Sequence, residues 1–182
     1  MLWLNEPARW SQDGAALTVT ADPKTDFWRT TGYGFVHDNG HVYGEQLAGD
    51  FTLSVRVRGA YAAQYDQAGV AVRADEQRWL KTGIEFFNGR MRFSTVHTTE
   101  FSSWAVGELP DDLAELSLRV TRRGDAIEVH YAADDAELEL GALVYLPPDA
   151  TVLAGPMCAA PEGPGFEVTF SDLVIQPGLA TE

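Results

Sequence analysis

The chain has 182 residues, enough for one substantial domain and too few for two of ordinary size. Apolar residues make up 45% of it, which allows a real core and excludes a largely disordered chain. Thirteen Lys and Arg against 27 Asp and Glu give a formal net charge of −14, which argues against nucleic acid and anionic membranes as partners.

The predicted elements are short segments of alternating polarity separated by turn residues, a pattern typical of all-β proteins. In chain order they are ALTVTA (16–21), DFTLSVRVRG (50–59), GVAVRA (69–74), WLKTGIEFF (79–87), RMRFSTVHT (90–98), AELSLRVTR (114–122), AIEVHYAA (126–133) and GFEVTFSDLVI (165–175). No segment has a persuasive helical period. We expect one domain over residues 1–182, built as two packed antiparallel sheets, because a single sheet this wide would expose too much apolar surface.

Cellular location is predicted from what the sequence lacks. Cys158 is the only cysteine, so no disulfide can form within the chain. The first ten residues, MLWLNEPARW, do not have the form of an export signal, and no apolar run is long enough to cross a bilayer. We therefore expect a cytoplasmic protein, and a homodimer is among the assemblies that the sequence leaves open.

One strand raises a functional question. In residues 79–87, the alternation of a strand places Leu80, Thr82, Ile84 and Phe86 on one face and Trp79, Lys81, Glu85 and Phe87 on the other. The first set suits a core. The second is either an ordinary solvated face, with arginine and glutamate paired across strands, or the floor of a binding site.

Several longer segments occur in an order that resembles a known family. They are DFWRTTGYGFVHDNGH (26–41), YDQAGVAVRADEQRWLKTGIEFFNG (65–89), RVTRRGDAIEVHY (119–131) and GPMCAAP (155–161). They resemble bacterial and fungal domains of the concanavalin A-like lectin/glucanase superfamily, some of whose fungal members are labelled regulators of enolase. The resemblance implies a jelly-roll β-sandwich with one concave sheet, the usual ligand surface of that superfamily. It also implies a tryptophan in the hairpin after residue 131, but the sequence there, YAADDAELELGAL, has none.

A polar ligand, most simply a sugar or sugar derivative, is the partner that we expect. Gln67, Arg73, Lys81 and Glu85 would supply hydrogen bonds and charge, and Trp28, Trp79 and Trp104 would supply stacking surfaces. Five outward arginines, Arg56, Arg58, Arg73, Arg92 and Arg119, would share one polar platform with them if the strands are neighbours. Trp28 and Arg29 would form a wall, or else Phe27 and Phe35 would fill the core while Trp28 and Tyr33 cover a sheet edge.

Two alternatives stay open. An isomerase or lyase could use Lys81 and Glu85 as acid and base. The Glu-x-Asp-x-x-Glu strand of related hydrolases is absent, although Glu85 could pair with Asp66 at the start of the adjacent strand. A protein-interaction module is the other. We expect no cofactor and no metal, because turn residues explain the pentapeptide HDNGH (37–41) and Cys158 reads as a small buried residue.

Overall fold

The structure, a computed structural model, describes residues 1–178, which form sixteen strands and no helix. The strands are β1 (Leu2–Leu4), β2 (Arg9–Asp13), β3 (Ala16–Ala21), β4 (Phe27–Arg29), β5 (Val36–Asp38), β6 (His41–Leu47), β7 (Phe51–Gly59), β8 (Gln67–Arg73), β9 (Arg78–Phe87), β10 (Arg90–Thr99), β11 (Phe101–Glu108), β12 (Leu116–Arg123), β13 (Ala126–Ala133), β14 (Glu139–Tyr145), β15 (Val152–Ala159) and β16 (Phe166–Pro177). Nothing in this part of the chain is a helix long and apolar enough to span a membrane.

Fourteen of these strands form two seven-stranded sheets. The front sheet has the order β1-β6-β15-β8-β9-β10-β11, and the back sheet has the order β14-β13-β12-β7-β16-β3-β2. The strand pairs within both sheets are antiparallel. The predicted all-β sandwich of two antiparallel sheets is confirmed.

The core lies between the sheets and follows the two-residue period of the strands. Buried side chains alternate along β7, from Phe51 to Val57, and along β16, from Phe166 to Phe170. They meet Leu80 and Ile84 of β9, which belong to the same apolar cluster. Burial of each large apolar side chain contributes roughly 1.5–3 kcal/mol, so this alternation is enough to fix the register of the sheets.

A second apolar cluster lies on the opposite side of the front sheet. Its buried members are Phe27, Trp28, Val42, Ala71, Trp79, Val96, Leu153 and Met157. The crossover segment (residues 22–40), which leads from β3 in the back sheet to β6 in the front sheet, folds over this face and carries the β4–β5 hairpin. The front sheet is therefore covered on both faces, whereas the sequence predicted a polar outer face.

Two glycines bring β8 and β9 unusually close together. Gly69 and Gly83 are paired directly. A β-carbon on Gly83 would lie 2.3 Å from the carbonyl oxygen of Ala68, and one on Gly69 would lie 1.9 Å from that of Thr82. Gly83 also has a φ of 149°, which favours glycine. Because Gly83 separates Lys81 from Glu85, the floor between those two side chains is bare backbone.

The single cysteine is buried as predicted. Cys158 lies in β15 and is 1% exposed. Burial raises the pKa of its thiol well above the usual range, with a smaller contribution from Asp22. A thiol held in its neutral form is a poor nucleophile, so Cys158 serves the core.

Candidate functional site

A cavity of about 300 Å³ opens between the front sheet and the crossover segment, and we call it the front cavity. Its lining residues are Lys24, Thr25, Asp26, Trp28, Tyr33, Phe35, His37, Tyr65, Gln67, Lys81, Glu85, Val96, Trp104, Pro161 and Glu162. The volume is at the small end of the ~300–1,000 Å³ of typical ligand pockets, which suits a ligand of about one ring.

A buried ion pair forms one half of the cavity floor. Lys81 on β9 is 5% exposed, and its ammonium nitrogen lies 2.8 Å from Oδ1 of Asp26. Gln67 on β8 donates to the same carboxylate oxygen over 3.2 Å. Because this oxygen also accepts from the backbone N–H of Phe27, Asp26 is held in one position, and the ammonium is held with it.

A buried carboxyl group forms the other half of the floor. Glu85 is 5% exposed, and its Oε2 accepts hydrogen bonds from the Ser94 hydroxyl at 2.5 Å and the Trp104 indole N–H at 2.9 Å. Burial raises the pKa of Glu85; the charge of Lys81 and these two hydrogen bonds oppose that effect without cancelling it. Oε2 is thus occupied by protein donors, and Oε1 is the acceptor that remains for a ligand.

Aromatic side chains form the walls. On one side the ring of Trp104 contacts Phe87 edge-on, with centroids 4.9 Å apart, and Tyr65 packs beside both rings. On the other side Trp28 meets Tyr33 edge-on at 5.5 Å, and Tyr33 stacks on Phe35. A hydrogen-bonding interaction with the Tyr65 hydroxyl, which favours the protonated form of Tyr33, raises the pKa of the Tyr33 hydroxyl.

The loops that carry these residues are fixed by local hydrogen bonds. The Asn39 side chain accepts from the backbone N–H of Asp26 and donates to the carbonyl of Lys24. These two hydrogen bonds join the two ends of the β4–β5 hairpin. Asp66 accepts from the N–H groups of Ala62 and Ala63 and shapes the turn that presents Tyr65. The loops that line the cavity are therefore held in place by the fold itself.

Five of the seven side chains predicted for the site line the front cavity together. These are Trp28, Gln67, Lys81, Glu85 and Trp104. The other two lie elsewhere. Arg73 is bound by both carboxylate oxygens of Asp38, at 3.3 and 2.6 Å. Trp79 is 2% exposed and packs against Phe27 beneath the hairpin, so it offers no surface for stacking.

Three further expectations are wrong. Asp66 is not the partner of Glu85, because its carboxylate is bound by backbone N–H groups of its own turn. Phe35 does not fill the core, since it is 42% exposed at the cavity rim. Arg29 does not form a wall with Trp28, because its guanidinium donates to the carbonyls of Glu100 and Glu76.

The five outward arginines do not form one platform. Arg73 and Arg92 belong to the front sheet, whereas Arg56 and Arg58 on β7 and Arg119 on β12 belong to the back sheet. The altered hairpin after residue 131 also joins two back-sheet strands, β13 and β14. The missing tryptophan therefore removes nothing from the lining of the front cavity.

The side chains of the pentapeptide HDNGH (37–41) point to different places and make different contacts. His37 lines the cavity, Asp38 binds Arg73, and Asn39 joins the hairpin ends. His41 is buried and accepts from the backbone N–H of Asp22. In residues 1–178 no group of three or more His, Cys, Asp or Glu side chains is placed to hold a metal ion.

Sequence reasoning missed Asp26, Tyr33 and Tyr65 as lining residues. Asp26 directly precedes the aromatic segment that begins at Phe27, but the sequence of a loop does not show which distant strand a side chain in it will contact. Tyr65 has a φ of 66°, which is uncommon for a residue other than glycine and marks a turn held by its surroundings. That signal became visible only in the folded chain.

Two antiparallel sheets packed face to face, with an aromatic cavity on one of them, define a β-sandwich domain of the jelly-roll type. The chain belongs to the family described as "Protein of unknown function (DUF1349)", whose model matches residues 3–178.

Individual relatives agree with this assignment. "Regulation of enolase protein 1" of Saccharomyces cerevisiae is 39% identical over 170 residues, which are 93% of this chain and 86% of that protein. A crystal structure of a functionally unknown protein from the same yeast has a TM-score of 0.93 and 38% identity, and the match covers 98% of this chain and 97% of that one. A mutant of the GH43 protein BlXynB from Bacillus licheniformis shares the fold alone, with a TM-score of 0.73 and 12% identity over 95% of this chain and 36% of that one.

Proposed function

We propose that the protein binds a carbohydrate or sugar derivative in the front cavity. The observation that carries the proposal is the combination, in about 300 Å³, of aromatic walls with a floor of fixed hydrogen-bonding groups. A sugar ring has apolar faces that stack on aromatic rings and hydroxyl groups around its edge that both donate and accept hydrogen bonds.

The floor supplies both kinds of partner. Lys81 and Gln67 carry donors, and the carboxyl groups of Asp26 and Glu85 carry acceptors. These groups are already ordered by contacts with one another, so a ligand would not have to immobilise them. Trp104 has a double role, because its indole N–H orients Glu85 while its ring forms a wall.

A thermal-shift screen against neutral sugars, aminated sugars, sugar acids and sugar phosphates tests the proposal. A ligand that binds the native state raises the unfolding temperature. We expect a shift with wild type that is retained in the control Arg119→Gln, an exposed position on the back sheet, and reduced in Lys81→Met. An equal shift in Lys81→Met, or no shift with any sugar while the protein is folded, would contradict the proposal.

A second candidate function is acid–base catalysis on a carbohydrate. The raised pKa of Glu85, beside the ammonium of Lys81 in a cavity that partly excludes water, is the observation in its favour. Nuclear magnetic resonance of each sugar incubated with the protein in D₂O would show exchange or isomerisation if turnover occurs. Unchanged spectra over days, for a sugar that binds, would leave binding alone as the function.

The name of the yeast relative suggests a regulatory role toward a metabolic enzyme. Binding of a sugar derivative and regulation of a protein partner are compatible, since a ligand-dependent domain could report the level of that ligand. Pull-down of purified enolase with and without a sugar that gives a thermal shift would test the combination. If no complex forms in either condition, the protein does not regulate enolase by direct binding.

A further inference from the structure

The charge of Glu85 lacks a cationic partner in the fold. Its carboxyl group is nearly fully buried, and both hydrogen bonds described above come from neutral donors, Ser94 and Trp104. Within residues 1–178 no Lys or Arg nitrogen lies within 4.0 Å of it. Buried carboxylates are normally paired with a cation, because loss of hydration is costly when nothing compensates for it.

Two cationic side chains that neighbour Glu85 in the front sheet are engaged with other acids. Lys81 is on the same strand and same face, but its ammonium is paired with Asp26. Arg92 lies directly opposite Glu85 on β10, yet its guanidinium turns outward to Glu108 on β11. The fold therefore places two potential partners beside Glu85 and directs both of them to a different carboxylate.

The walls around Glu85 also suit a positive charge. Trp28, Tyr33, Phe35, Tyr65 and Trp104 line the same cavity. Aromatic faces attract cations through their quadrupole, and the attraction grows when water is excluded. The cavity is lined by three carboxyl groups, of Asp26, Glu85 and Glu162, against two ammonium groups, of Lys24 and Lys81, in a protein with a formal net charge of −14, so the balance of charge disfavours an anionic group.

We propose that the ligand of the front cavity is an amino sugar whose protonated amine binds the carboxylate of Glu85. This inference rests on the proposed function and narrows its ligand class. The ring hydroxyls bind Asp26, Gln67 and Lys81, the ring face stacks on the aromatic walls, and the ammonium completes the ion pair that the fold leaves open. Sugar phosphates and sugar acids should bind less tightly than the amino sugar, because the same lining carries one more carboxyl group than ammonium groups.

Calorimetric titration with four small molecules tests the inference. Glucosamine carries both the ring and the charge, glucose and N-acetylglucosamine carry the ring without the charge, and ethanolamine carries the charge without the ring. A charge-assisted hydrogen bond in a buried site makes glucosamine bind about tenfold more tightly than glucose. Glu85→Gln, which keeps the shape of the side chain, brings the two within about threefold, and the back-sheet control Glu167→Gln leaves the ratio unchanged.

The outcomes separate this inference from the proposed function. Equal binding of glucose and glucosamine by wild type, or tighter binding of a sugar phosphate, overturns the amino-sugar inference and leaves carbohydrate binding intact. Ethanolamine binding as tightly as glucosamine overturns it too, because the ring would then contribute nothing. If none of the sugars binds to the folded protein, both proposals fail.

Discussion

On the back sheet, the outward side chains of β12 include Arg119, which faces solvent, and those of β7 include Arg56, whose side chain is 42% exposed. On the front sheet, the outward side chains of β9 include Lys81 and Glu85, each 5% exposed. Both sheets alternate apolar and polar residues in the same way. The difference lies in the crossover segment, which covers one outer face and leaves the other open.

This contrast shows that alternating polarity along a strand does not predict whether the polar face of that strand is exposed to solvent. Ion pairs on the back sheet, such as that of Arg56 with Glu115, are partly hydrated and contribute little to stability. The pair of Lys81 with Asp26 lies between the front sheet and the crossover segment, where removal of either side chain leaves the other charge largely buried and unpaired. Charged residues of the same types are therefore solvent-exposed on the back sheet and form the floor of a cavity on the front sheet.

The largest expected effect comes from breaking one ion pair on each sheet. Lys81→Met leaves Asp26 without its cation in a largely dry position, which should lower the free energy of unfolding by about 3 kcal/mol. The matched back-sheet change, Arg56→Met, should leave stability close to that of wild type, because its pair is solvated. Urea denaturation at pH 7 measures both, and equal losses would remove the distinction between the two faces.

An intermediate effect is expected at the glycines. Gly83→Ala forces a β-carbon against the carbonyl of Ala68 and should cost about 2 kcal/mol or more, because main-chain atoms of two paired strands would have to separate. Gly124→Ala, in the turn between β12 and β13, meets open space at a φ of 59° and should cost about 1 kcal/mol of backbone strain. Guanidinium titrations compare them; a loss at Gly83 no larger than that at Gly124 would refute the close approach of β8 and β9.

The smallest expected effect is in the pH dependence of stability. Burial raises the pKa of Glu85 in the folded state above its ordinary value of 4.5, so the unfolded chain releases this proton first as pH rises. Stability should therefore fall as pH increases from 4.5 through the raised pKa, and Glu85→Gln should remove that part of the slope. The exposed back-sheet change Glu167→Gln should leave the slope intact. Unfolding temperatures measured from pH 4 to 8 would contradict this if the two variants behave alike.

Much of the cavity floor was predictable. The two-residue period of β9 placed Lys81 and Glu85 on the face opposite Leu80 and Ile84, and the structure has them so. The same period placed Gln67 on that face through the neighbouring strand β8. Such predictions succeed because side-chain direction in a strand depends only on local geometry.

The walls and the charge partners were not predictable in the same way. Asp26, Tyr33 and Tyr65 belong to loops, and Trp79 was expected to be an open stacking surface. Their roles depend on where the crossover segment lies over the front sheet. That placement is decided by contacts between residues far apart in sequence, such as Asp26 with Lys81 and Arg29 with Ser102.

The sequence by itself determined the antiparallel sandwich, the inward set of apolar residues and the face on which Lys81 and Glu85 lie, because each follows from the period of a strand. Only the tertiary structure decided that this face is covered, that Lys81 is paired with Asp26, and that Glu85 is buried without a cation. These facts depend on which loop crosses which sheet. Long-range packing sets that arrangement, and no local pattern encodes it.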